Sequence, residues 1–174
     1  MTAHATGDIE TRVRAIEDRL EIYNLIAAHP ISADSAAGEF IAACWVEDGL
    51  FDRGELSKVQ GRTAIAQEVF TPNHQAAIAG GIGHFASLPH VQISGDNAVV
   101  TSYLQIIVPE TRGEPLDVPG HGAARGFHQH RVSVNRWEFV RTDKGWQIKQ
   151  RFARAIGTDG AQKLLGRAFE RGEA

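Results

Sequence analysis

Between Ile9 and Ala28 the apolar residues recur at helical spacing. Val13, Ile16, Leu20, Tyr23 and Ala27 follow a 3-4-3-4 alternation, while Glu10, Arg14, Glu17, Asp18 and Glu21 fall largely on other faces. This predicts an amphipathic helix over 9–28 with that stripe as its apolar face and Asp8 as its N-cap. Pro30 is expected to end it, because the residue before a proline is pushed out of the α region. A second, short helix is expected from Ala36 to Trp45, packing Phe40, Ile41 and Cys44. A short strand should begin at Gly49-Leu50-Phe51 and turn out at Asp52-Arg53-Gly54. A third helix, Gly61 to Phe70, opens near Thr63 and is interrupted at Thr71-Pro72-Asn73; residues 74–82 fit neither period.

From residue 83 the period changes from helical to strand-like. His84 to Ile93, Ala98 to Val108, Phe127 to Val140 and Trp146 to Ile156 read as four strands. Ser94-Gly95-Asp96-Asn97 and Asp143-Lys144-Gly145 read as tight turns. Pro109 to Gly122 holds three prolines and three glycines and reads as a long loop, suited to a lid or an oligomer contact. Asp159 to Glu170 closes the chain as an amphipathic helix with Leu164, Leu165, Ala168 and Phe169 on its apolar side. Helices first, then hairpin-linked strands, give an α+β fold rather than alternating βαβ units. A curved antiparallel sheet wrapped around the N-terminal helices would leave an open end, and an open end is a pocket.

Bulk properties narrow the partners. The 174 residues fit one domain over 9–174 with a flexible tail at 1–8. Net charge is −3 and no basic run occurs, so neither nucleic acid nor a membrane surface is an expected partner. No apolar run approaches the roughly 20 residues of a membrane span. Residues 1–8 lack the basic start and apolar middle of a signal peptide. The one cysteine, Cys44, cannot form an internal disulfide, which suits a cytoplasmic protein.

Several landmarks, in order, carry a family resemblance over roughly residues 10–157. They are the acidic position Asp34 after the first helix, Phe40 to Trp45, and Glu47-Asp48-Gly49-Leu50-Phe51. Gly61-Arg62-Thr63-Ala64-Ile65, Gly83-His84-Phe85 and Ile93 to Ala98 follow, then Asp143 to Ile148 with Arg151 beyond. The chain resembles the SnoaL-like branch of the NTF2-like superfamily. Its arrangement is similar to the scytalone dehydratase and hexachlorocyclohexane dehydrochlorinase group. That resemblance implies an NTF2-like cone with an internal pocket and elimination of water or HCl by a His–Asp dyad with an arginine nearby. By position, His84 resembles the base, Asp34 its carboxylate and Arg151 the arginine. The family's Tyr-x-x-x-x-Asp run is replaced here by Ala28-His29-Pro30-Ile31-Ser32-Ala33-Asp34. The resemblance also implies self-association, as dimer or trimer.

The chemistry fits that assignment. Free imidazole titrates near pH ~6.5 and accepts a proton at neutrality. A carboxylate behind it fixes the tautomer and stabilises imidazolium; Asp34 could equally serve as the N-cap of the second helix. Arg151 could receive developing negative charge. It has the opposite parity to Trp146, Ile148, Phe152 and Ile156, so either the pocket lies on its side of the sheet or a bulge intervenes. Tyr103 is a candidate second proton donor. Trp45, Phe51, Phe70, Phe85 and His128 are candidate pocket residues, although aromatic residues at such spacing also serve as plain core. His128 and His130, with His121 near, lack a carboxylate to complete a metal site, and none is expected. Ala79-Gly80-Gly81-Ile82-Gly83 lacks the Lys-Ser/Thr of a phosphate loop, so no nucleotide cofactor is expected.

The expected function is a cofactor-independent lyase or isomerase acting on a small hydrophobic, cyclic molecule. The alternatives are a non-catalytic small-ligand binder and the small subunit of a ring-hydroxylating oxygenase.

Overall fold

Asp8 opens the first helix. Its side chain accepts from the Thr11 amide at 2.9 Å, the N-cap bond that satisfies an otherwise orphaned donor. The computed structural model describes residues 8–169, so the rest of the expected tail lies outside the described residues. Helix α1 spans Ile9–Asp34 and does not stop at Pro30. The proline removes one i→i−4 bond, but its ring is buried and the helix runs on for another turn. The helix ends in a Schellman closure, with the Ala37 amide on the Ser32 carbonyl at 2.9 Å and Ala36 in the left-handed region at φ 53°.

The face of α1 that packs inward is not the stripe read from the sequence. Asp18, Ile22, Ile26, Pro30 and Ala33 are buried, whereas Val13, Ile16 and Leu20 are exposed. Asp18 explains the choice. It takes a two-pronged bond from Arg141 at 2.7 and 2.6 Å and one from the Trp146 indole at 3.1 Å. Those donors hold its carboxyl below the usual range and compensate its burial.

Helix α2 (Gly38–Cys44) leads into β1 (Trp45–Asp52), β2 (Lys58–Gln60) and α3 (Arg62–Gln67), with a 3-10 turn at Glu68–Phe70. Most of the ambiguous stretch belongs to helix α4 (Pro72–Ala79). Thr71 caps it and Pro72 sits at its first turn, where a missing N–H costs nothing. The expected strand 84–93 is two, β3 (Gly83–Ala86) and β4 (His90–Ser94). They lie one after the other along β5 (Asn97–Pro109). The 109–122 loop contributes to a small hairpin, β6 (Leu116–Val118) with β7 (Gly122–Ala124). Strands β8 (Phe127–Thr142) and β9 (Gly145–Ala155) and helix α5 (Asp159–Gly166) complete the chain.

The main sheet has seven strands in the order β2-β1-β9-β8-β5, with β3 and β4 both on the free edge of β5; only β1–β9 is parallel. Its inner face packs Trp137, Phe139, Trp146, Ile148 and Val100 against Ile22, Ile26 and Ile41. The β8–β9 turn needs Gly145, whose φ is +93° and whose added Cβ would strike the Glu21 carboxylate. That carboxylate accepts the Trp146 amide at 2.8 Å, tying the turn to α1. The architecture is the expected α+β cone, a curved open sheet with the helices at its N-terminal side.

Candidate active site

Running α1 past Pro30 carries Asp34 to the edge of β3. There one carboxylate oxygen accepts the His84 backbone amide at 2.9 Å and the other meets His84 Nδ1 at 2.5 Å. An ionised carboxylate only accepts, so Nδ1 is the donor in this bond and Nε2 takes no part in it. The imidazole side chain is 10% exposed and lines a cavity of about 500 Å³. Asp34 is therefore the last residue of α1; the N-cap position of α2 falls on Ala37 instead.

Arg151 reaches the same cavity because of a bulge. In β9, Ile148 pairs with Phe139 and Gln150 with Glu138, leaving Lys149 as an extra residue. The extra residue inverts the alternation. Trp146 and Ile148 face inward before the bulge, and Arg151, Ala153 and Ala155 line the cavity side after it. The Arg151 guanidinium lies between the Phe51 and Trp137 rings, 4.4 and 4.2 Å from their centroids. It donates through Nε to Asn135 at 3.0 Å and through Nη1 to His29 Nε2 at 2.5 Å. Burial, then repulsion from Arg53, pulls it down to about 9, so it remains a cation at neutrality. No described carboxylate pairs with it.

His29 is a site residue that sequence reasoning missed. Arginine has no acceptor, so His29 Nε2 is the acceptor and its ring is neutral. Burial, then the charge of Arg151, holds it well below the ordinary histidine range. Its ring meets Trp137 edge-on at 5.2 Å. His74 was missed as well. It donates from Nε2 to the Ala33 carbonyl at 2.9 Å and stacks on His84 with centroids 6.3 Å apart. Arg53, paired with Glu68, and Arg131 and Ser133 also line the cavity. The available signals were spacing: His29 and Ala33 share a helix face once α1 is continuous, and Arg131 alternates with Ser133, Asn135 and Trp137.

Of the expected pocket residues, Trp45 and Phe51 line the cavity. The other three, and the expected proton donor Tyr103, stand elsewhere. Tyr103 lies on the opposite parity of β5 from the buried Ser102 and Leu104 and is half exposed. It is therefore not a proton donor to this cavity. Phe85 alternates with His84 and is exposed. The Phe70 ring sits over Gly38, where even a Cβ would clash. His128 is exposed on β8 and pairs with Glu110 at 3.4 Å. Trp146 is core, holding Asp18.

No curated protein matches the chain. Among solved structures it is similar to an NTF2-like protein of cystatin-like fold from Novosphingobium aromaticivorans. That match has 32% identity over 92% of this chain and 99% of that one, with TM-score 0.81. Two further proteins of that organism share the fold. One, provisionally assigned as a scytalone dehydratase, is 19% identical over 84% of this chain and 87% of its own, TM-score 0.59. The other, provisionally assigned as an aromatic ring hydroxylase, is 20% identical over 84% and 97%, TM-score 0.60. Residues 14–152 match the profile of the SnoaL-like domain, and the chain belongs to that family.

Proposed function

We propose that this protein is a cofactor-independent lyase or isomerase. His84 Nε2 removes a proton from carbon in a small, hydrophobic, cyclic substrate. Asp34 holds the tautomer and stabilises the imidazolium that forms. Arg151, fixed by Asn135, His29 and two rings, faces the negative charge that develops as the C–H bond breaks. The observation that carries this reading is the Asp34–His84 pair, which commits Nδ1 and leaves a basic nitrogen on a cavity wall. The volume falls in the usual range for small-molecule sites. The provisional dehydratase assignment of one fold neighbour points the same way, as likeness of fold only.

The test is to find cyclic ligands by thermal shift and follow elimination or deuterium uptake from D2O by NMR. Wild type should turn over at least one ligand, and His84→Ala, folded by circular dichroism, should lose at least ~10³-fold. A folded His84→Ala with undiminished turnover overturns the assignment. Ligands that bind wild type without any turnover support the non-catalytic binder.

The reading includes a cytoplasmic location, in line with one cysteine that is buried, its thiol pushed up to about 11 by that burial. No described helix is long and apolar enough to cross a membrane. It also includes self-association through the exposed stripe of α1.

A further inference from the structure

The cavity wall holds more positive than negative charge. Arg53, Arg131 and Arg151 line it against one lining carboxylate, Glu68. Glu68 is spent on Arg53. Arg151 is committed to Asn135, His29 and its two aromatic neighbours. Arg131 is different. Its side chain has no ion pair or hydrogen bond to any described residue, and its Nε is buried without an acceptor. A buried charged donor left unmatched is costly, and native sites keep one where a ligand supplies the acceptor.

Its place in the sheet is built, not incidental. In β8 the pairing slips by one residue, with Ile107 opposite Gln129 and Ile106 opposite Arg131. His130 is the extra residue, and the slip sets Arg131 in the inward series with Ser133 and Asn135. Ile106 in turn pairs with His84. His84, Ile106 and Arg131 therefore form one row across three strands, all lining the cavity. Two strand spacings separate the backbones of His84 and Arg131, about 10 Å. An apolar side chain, Ile106, lies between a base and a free guanidinium fork.

We propose that Arg131 binds a carboxylate of the substrate, so that the site takes small cyclic carboxylic acids with the ring over Ile106 and a C–H toward His84. This rests on the proposed function only for the role of His84. A planar guanidinium meets a carboxylate through two parallel N–H···O bonds, which an amide or alcohol cannot reproduce. Arg131 thus selects the substrate class and sets its direction, while Arg151 is left to the charge that develops in the reaction.

The test uses matched acid and amide probes: benzoate and benzamide, cyclohexanecarboxylate and its amide, 1-cyclohexenecarboxylate and its amide. Affinities are measured by titration calorimetry on the full chain as wild type, Arg131→Gln, Arg131→Lys and His84→Asn. Wild type should prefer the acid at least tenfold in one pair or more. Arg131→Gln should abolish that preference, Arg131→Lys should keep part of it, and His84→Asn should keep it nearly whole. Absence of preference in all three pairs overturns the proposal. So does a preference that survives in folded Arg131→Gln, which assigns the anion to Arg151. If Arg131→Gln does not fold, Arg131→Lys decides, since loss of the fork with retained charge must lower the preference. A protein that prefers acids through Arg131 but shows no His84-dependent turnover keeps this inference and loses the catalytic one.

Discussion

The two carboxylate oxygens of Asp34 are divided between two donors of one residue, the backbone amide and the Nδ1 of His84. The division fixes the imidazole in position and in tautomer at once. The amide bond sets the height of β3 against the end of α1, and the ring bond sets rotation about the side chain. Asp34→Asn separates these functions. Its amide can offer an oxygen to only one of the two donors and presents N–H to the other. Turnover should fall by ~10³–10⁴, as when a triad carboxylate becomes an amide, with the fold retained. Nitrogen-15 spectra of the histidines are expected to show Nε2 of His84 gaining the proton. An unchanged His84 signal together with full activity removes Asp34 from the mechanism.

His29 and Arg151 give a pH signature. Folding lowers the proton affinity of His29, chiefly through burial and then through the Arg151 charge. As pH falls below the ordinary histidine value of about 6.5, the unfolded chain takes up a proton that the folded one resists. Stability therefore drops with falling pH from that point down to the lowered folded value. Gln at position 29 can still accept from Arg151 but cannot titrate. Urea unfolding between pH 7.5 and 5 should show wild type losing stability relative to His29→Gln at up to about 1.4 kcal/mol per pH unit. The carboxylates cancel in that difference, including Asp18, whose own contribution is lost at lower pH. Parallel stability curves would mean that the folded ring titrates freely.

The strand half was legible because hairpin turns and two-residue alternation are local signals. Ser94 to Asn97 and Asp143 to Gly145 sit where the turns are. The helical half was less so. The proline rule is local and lost to tertiary bonds at both sides of Pro30. The α1 stripe was misread because that helix carries two apolar faces. Ile22 and Ile26 mark one, Val13, Ile16 and Leu20 the other, and only a partner for the charged Asp18 decides which goes inside. The bulge at Lys149 leaves no mark in residue types, so the inward turn of Arg151 could be posed from sequence but not resolved. His29 and Arg131 were hidden for the same reasons, one behind the proline and one behind a slip at His130.

The exposed face of α1 is where self-association is expected. Ile9, Val13, Ile16 and Leu20 are 76%, 44%, 59% and 59% exposed, and with the half-buried Tyr23 they recur at 4-3-4-3. That spacing is the a/d seam of a coiled coil. Glu10 and Glu17 flank it on one side, Arg12 and Arg19 on the other. Antiparallel helices would set glutamate against glutamate and arginine against arginine. Parallel helices would set Arg12 of one copy against Glu17 of the other, so the expected assembly is a parallel, two-fold pair of identical chains. The wild-type protein should sediment as a dimer at tens of micromolar. Ile16→Glu with Leu20→Glu removes two apolar contacts, each worth about 1.5–3 kcal/mol when buried. It should weaken the dimer at least ~100-fold without changing the circular dichroism of the fold. The same double variant is expected to keep ligand affinity, because neither residue touches the cavity. A wild-type monomer at 50 micromolar, or a dimer indifferent to both substitutions, would leave this stripe without a self-associating role.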